Sequence, residues 1–292
     1  MKSDVKEFPP VSKVEIENFK SIKHIELECK RVNVFIGEPN TGKSNILEAV
    51  VGLPSSVAHE FELQSAVRFE RISNLFYNEI VEQDVRVSLG KYVLYLRHSK
   101  RDDLSVWVKS KNGWLSTVFE LHYYLTRSRK REEWKWGHLH YPDSGEYDTA
   151  KEWLKKFKFY RFKKLNEFPN KLAEYLMPPS GDNLVSVLTR NKKLREEANR
   201  IISKFRIISK FGFKLTVKPR ESKIEIQKEL EESVVVGFPY TLISDTIQRL
   251  IFYLAAIHTN ENSVIAMEEP EAHAFPFYTK YLAELIALDD GN

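Results

Sequence analysis

The 292-residue chain has one cysteine, Cys29, so neither a disulfide scaffold nor a cysteine-based zinc cluster can hold it together. A lone thiol suits a reducing compartment and reads as an ordinary buried side chain. Long apolar runs are also missing. The longest, Leu250 to Ile257, falls far short of the roughly 18 residues that a membrane helix needs. No apolar signal stretch follows Met1, and the expectation is a cytoplasmic protein with no membrane partner. Excess charge of one sign is small: 45 Lys and Arg against 41 Asp and Glu leave +4, too mild to mark a nucleic-acid protein by charge alone. What is present, 42% hydrophobic and 29% charged residues, is the mixture of an ordinary globular protein. At 34.2 kDa the chain exceeds the usual single domain, so two modest domains or one with an insertion is expected.

Strand-like alternation opens the chain at Lys13 to Phe19 and Ile22 to Glu28. The apolar run Val32 to Ile36, interrupted only by Asn33, then reads as a buried strand. A glycine loop follows, and after it a helical stretch expected to end near Gly52-Leu53-Pro54. From Asp84 to Leu125 apolar alternation broken by Asp102-Asp103 and Asn112-Gly113 predicts a β-meander. Residues 127 to 170 are basic and aromatic, and Asn183 to Phe205 has helical spacing, with Asp182 or Asn183 as its cap. Alternation returns at Lys214 to Lys218 and Lys223 to Gln227. A helix is expected from Asp245 to Ile257 and a strand from Ser263 to Met267 that ends in acids.

Gly37-Glu38-Pro39-Asn40-Thr41-Gly42-Lys43-Ser44 fits the phosphate-loop pattern in full. Its glycines let backbone N–H groups approach phosphate oxygens, Lys43 brings a point charge to the β and γ phosphates, and Ser44 brings a hydroxyl to Mg2+. The start of the following helix, Asn45 included, adds its dipole. Such a loop needs acids at the end of a buried strand. Val264-Ile265-Ala266-Met267-Glu268-Glu269 supplies two, Glu268 for the metal and Glu269 as general base. A complete site requires Lys43 and Glu269 to converge across the sequence between them.

Asn18-Phe19-Lys20-Ser21, the Gly-Lys-Ser-Asn form of the loop and Glu268-Glu269-Pro270-Glu271-Ala272-His273 together resemble the ABC-type ATPases related to RecF, Rad50 and the OLD (overcoming lysogenization defect) proteins. Small archaeal OLD-like AAA ATPases are the nearest likeness. The resemblance covers about residues 13–53 and 236–285, with Pro178 to Leu184 as a further similarity. It implies an α/β fold: a P-loop ATPase head from residues 1–60 and 213–292, with a mixed or largely parallel sheet, and an inserted α+β lobe at 61–212. It also implies a homodimer that encloses two ATP molecules, in which Ser244 of Leu242-Ile243-Ser244-Asp245-Thr246 touches the γ-phosphate in trans; Thr246 stands where the family has glycine. Gln64 and Gln83 both suit the glutamine that joins magnesium to the helical lobe, and spacing does not choose. No Toprim nuclease domain is expected in these residues, so the resemblance to OLD proteins does not imply cleavage.

Two functions follow from these residues: a Mg-ATPase whose dimer closes and opens, or an ATP-binding module with little or no turnover. A GTPase is disfavoured, because Asn191-Lys192-Lys193-Leu194 lacks the aspartate that reads guanine. The basic tract with Arg127, Arg129, Lys130, Arg131, Trp134, Lys135 and Trp136 suits DNA as well as it suits a solvated face.

Overall fold

The computed structural model describes residues 11–98, 104–110, 117–125, 132–138, 145–169, 173–204, 213–231, 234–272, 274 and 276–289. They fall into two compact units, residues 1–159 with 262–266 and residues 160–261 with 267–292. This division differs from the expected breaks near 60 and 213. The reason is pairing: β1 (Lys13–Phe19) lies between β2 (Ile22–Glu28) and β3 (Val85–Leu89), which carries the opening strands into the meander.

The first unit is built on one antiparallel sheet. To β1, β2 and β3 it adds β4 (Tyr92–His98), β5 (Leu104–Ser110), β6 (Thr117–Leu125) and β7 (Glu132–His138), in the order β2-β1-β3-β4-β5-β6-β7. The expected meander is therefore present and continues through β7, although its two expected turns, at 102–103 and 112–113, lie outside the described residues. Two-residue turns join β1 to β2 (Phe19↔Ile22) and β3 to β4 (Leu89↔Tyr92), with Gly90 at φ 57° in the second. Connections this short allow only antiparallel neighbours, so the sheet is not the mixed or largely parallel one expected. One row of it, Ile16, Val87, Leu94 and Val108, is fully buried across four strands. Each such side chain contributes about 1.5–3 kcal/mol. Beside the sheet runs α1 (Lys43–Leu47), which continues through a π turn at Glu48–Gly52 into α2 (Leu53–His59). The helix thus passes Gly52 and Pro54 instead of ending there. Proline lacks the N–H for an i−4 bond, and the widened turn just before it accommodates that loss. The next helix of this unit is α3 (Gly145–Leu154), whose Trp153 packs between Tyr92 and Phe157 with ring centroids 4.8 and 4.7 Å away.

Val32 to Ile36 corrects the sequence reading. It is not a strand, and Val34 and Ile36 are 74% and 89% exposed. Asn33 explains the departure: its Oδ1 accepts from Lys30 N at 3.0 Å and its Nδ2 donates to Lys30 O at 2.7 Å. This side chain closes a turn where an extended ladder was expected.

The chain passes between the units within two paired strands, β8 (Phe157–Arg161) and β12 (Val264–Glu268). The second unit contains α4 (Leu184–Arg190), α5 (Lys192–Lys204) and a three-stranded antiparallel sheet of β9 (Phe213–Lys218), β10 (Lys223–Glu231) and β11 (Val234–Pro239). It ends with α6 (Asp245–Thr259) and α7 (Pro276–Leu288). The helix expected from Asn183 breaks at Asn191, whose Oδ1 accepts from Leu194 N and starts α5. Asn183 precedes α4 but does not cap it. Its buried amide bonds Tyr175 O and Met177 N, tying down the loop before the helix.

Candidate functional site

Positive backbone angles at Asn40 (φ 62°) and Gly42 (φ 87°) fold residues 37–42 back on themselves. Asparagine and glycine are the residues that reach this region at least cost. Thr41 Oγ1 donates to Glu38 O at 2.9 Å. Lys43 then curls into the loop, with its Nζ donating to Gly37 O at 2.8 Å, to Glu38 O, and to Thr41 Oγ1 at 3.1 Å. A Cβ on Gly37 would meet Thr41 Oγ1 at 3.3 Å, a contact that asks that side chain to give by a few tenths of an ångström. Gly42 stands at the N-cap of α1 with no side chain capping the first turn. The amides there form a ready anion site beside the Lys43 charge. Ser44 and Asn45 follow within the first turn, and Pro39 lies in the exposed arm of the loop.

In the sequence Lys20 and Ser21 carry only a family likeness; in the structure they are the clasp of this loop. Ser21 Oγ accepts from Asn45 Nδ2 at 2.8 Å, and a Cβ on Gly42 would lie 3.2 Å from the same oxygen. Lys20 Nζ donates to Glu48 Oε2 and to Arg68 O, while Arg68 Nε donates to Glu48 Oε1 at 2.8 Å. Glu48 is completely buried, one helical turn beyond Lys43. The β1–β2 turn is thereby bonded to both the first and second turns of the phosphate-loop helix. The signal was the position of Asn18 to Ser21 in a tight hairpin turn, with Lys20 at φ 50°. Gln64 is half-buried and donates to Phe69 O at 3.1 Å, beside an open depression of about 460 Å³ lined also by Arg68, Glu70 and Asn74. Gln83 is exposed.

The loop lies in the first unit and the acidic turn in the second. At that turn the two acids have different surroundings. Glu268 is 8% exposed, and its Oε2 accepts from Arg161 Nε. Its carbonyl accepts from Tyr253 Oη at 2.9 Å. Burial pushes that phenol up to about 12, keeping it a donor. Glu269 is exposed and sits at φ 45°, where a residue other than glycine is uncommon. Its carbonyl accepts from Arg249 Nη1 at 3.5 Å, and the Arg249 guanidinium lies 4.7 Å from the Phe162 ring centroid. Carboxylate oxygen is suitable chemistry for Mg2+, but the Glu268 carboxylate is already held by a guanidinium inside the fold. A metal ligated by Oε2 would have to displace that guanidinium. His273 of the same motif lies outside the described residues, as do residues 127–131 of the basic tract.

Ser244 is the N-cap of α6, and its hydroxyl accepts from Ile247 N at 3.5 Å. Asp245 follows in the first turn and pairs with Lys164 at 3.2 Å. No described helix is long and apolar enough to cross a membrane.

The search for curated relatives found no match. Two solved structures are similar over most of the chain. The SMC head domain from Thermotoga maritima is 13% identical, with 94% of this chain and 83% of that one covered and a TM-score of 0.38. A Smc head domain with an extended coiled coil, bound to the C-terminal domain of ScpA and derived from Pyrococcus furiosus, is 14% identical, with 94% and 86% covered and a TM-score of 0.41. The chain is α/β, and residues 10–53, which hold the β1–β2 hairpin, the phosphate loop and its helix, match the family described as AAA ATPase domain.

Proposed function

We propose that the protein binds ATP through residues 37–45 and hydrolyses it as an ABC-type ATPase. The observation that carries this reading is the loop itself: Lys43 is drawn to its centre by Gly37, Glu38 and Thr41, at an uncapped helix start. A triphosphate bound there would exchange the carbonyl partners of Lys43 for phosphate oxygens and take the amides of the first turn. Mg2+ accompanies ATP as its counter-ion, with Ser44 offering a hydroxyl, and no step is routed through Glu268. Glu269 is the general base, its exposed carboxylate taking the proton of the attacking water. Two copies enclose the nucleotides head to tail, with Ser244 of the partner subunit closing over the γ-phosphate, and hydrolysis releases them. An OLD-like ATPase head built from both ends of the chain is the architecture this reading implies, and a DNA-related or defence process is the setting it suggests.

A second reading, an ATP-binding module with little turnover, is favoured by the Ser244 hydroxyl serving its own helix and by Thr246 in place of glycine. Phosphate release and molar mass by light scattering, with Mg-ATP, separate the two. The ATPase reading expects turnover by the parent, a loss of about 10²- to 10⁴-fold in Glu269→Gln with an ATP-trapped dimer, and loss of nucleotide binding in Lys43→Ala. Binding without turnover or dimerisation in parent and Glu269→Gln alike would leave the module reading. Full binding by Lys43→Ala would remove both.

A further inference from the structure

Paired acids at a strand end are read as one metal ligand and one base, yet in the second unit the two carboxylates are not equivalent. Glu268 is fixed from two further elements. Arg161 of β8 donates to its Oε2, the Arg161 side chain being 27% exposed and that of Glu268 8%. The Arg161 backbone is itself anchored, its N–H donating to Pro179 O at 3.1 Å. Tyr253 of α6 holds the Glu268 carbonyl. A buried carboxylate requires a counter-charge, and guanidinium supplies one that does not deprotonate and whose planar donors match carboxylate geometry. A divalent ion that takes Glu268 Oε2 must displace a cation that belongs to the fold. The next residue has the opposite character: Glu269 is turned out to solvent by a left-handed backbone angle, and Arg249 bonds its carbonyl rather than its carboxylate.

We infer that Arg161 is the resident counter-ion of Glu268, so that the carboxylate this turn holds out in solvent to a divalent cation or to water is that of Glu269. Glu268 is then a positioning residue: it locks the end of β12 to β8 and so sets the direction in which Glu269 projects. The inference rests on the ATPase reading for what Glu269 does, but not for the ion pair itself.

The full chain and its Arg161→Gln, Glu268→Gln, Arg161→Gln/Glu268→Gln and Glu269→Gln variants test it through two readouts. The first is thermal unfolding with and without Mn2+. Each single change at Arg161 or Glu268 is expected to lower Tm, and the double variant to recover at least half of the larger loss, since it leaves no unpaired buried charge. Mn2+ alone is expected to raise the Tm of Arg161→Gln and not that of the parent. The second readout is the Mn2+ concentration that half-saturates binding of a fluorescent ATP analogue. Glu268→Gln is expected to shift it less than twofold and Glu269→Gln at least tenfold. A tenfold shift in Glu268→Gln at parental Tm would overturn the inference, as would losses in the two single variants that simply add in the double. If a single variant does not fold, a folded double variant supports the pair and an unfolded one counts against it. Should the parent not bind the analogue, the ATPase reading fails while the unfolding series still decides the ion pair.

Discussion

Replacing Glu48 by glutamine probes the clasp behind the phosphate loop. Glu48 has no exposed side-chain surface, Lys20 is 11% exposed and Arg68 is 55% exposed. Glutamine keeps the size but turns an N–H₂ group toward a cation and removes the charge that offsets burial of the Lys20 ammonium. Loss of one partner from a buried pair costs about 3–5 kcal/mol. Arg68 is more than half in water and re-solvates on losing its partner, so Arg68→Ala costs less than about 1 kcal/mol. For a unit of this size each kcal/mol moves Tm by about 2–4 °C, which places Glu48→Gln roughly 6–20 °C below the parent and Arg68→Ala within about 4 °C of it. Intrinsic tryptophan fluorescence is the assay, since all five tryptophans lie in the first unit. A Glu48→Gln protein that melts within about 2 °C of the parent would contradict a buried ion pair at this position. So would equal losses from Glu48→Gln and Arg68→Ala, because the two side chains differ so widely in burial.

Two further outcomes follow from burial in the same way. Burial first, and then the charge of Lys158, pushes His59 down to about 4, so below pH 6.5 the unfolded chain takes up a proton that the folded one refuses. Stability should fall by about 2–3 kcal/mol between pH 7.5 and 4.5 on this account, and urea midpoints of His59→Gln should show that much less acid loss; identical pH profiles for the two would dismiss it. Gly181 stands at φ 71°, and a Cβ added there would lie 2.8 Å from the buried Phe252 ring and 3.1 Å from Leu176. Gly181→Ala should therefore cost the second unit about 2–5 kcal/mol, read by circular dichroism, and a change under about 1 kcal/mol would show that the ring yields freely.

Sequence alone determined the features that depend on neighbours along the chain. The phosphate loop is legible because its geometry needs glycine at Gly42, at φ 87°, and a lysine at the start of a helix. The meander and α6 are legible because alternation and the Ser244 cap act within a few residues. Tertiary structure decided the features that depend on residues far apart. Val32 to Ile36 has strand composition, but Asn33 closes a turn there and no ladder in the described residues takes the run up. Glu268 and Glu269 are adjacent and chemically alike in sequence, and only the arrival of Arg161 from 107 positions away on β8 makes one a buried ion-pair partner and leaves the other in water. Lys20, Glu48 and Arg68 are likewise ordinary residues when read singly and become a clasp when the hairpin meets the helix. Local pattern specifies backbone conformation, whereas the worth of a charge depends on the dielectric and partners that the fold brings to it.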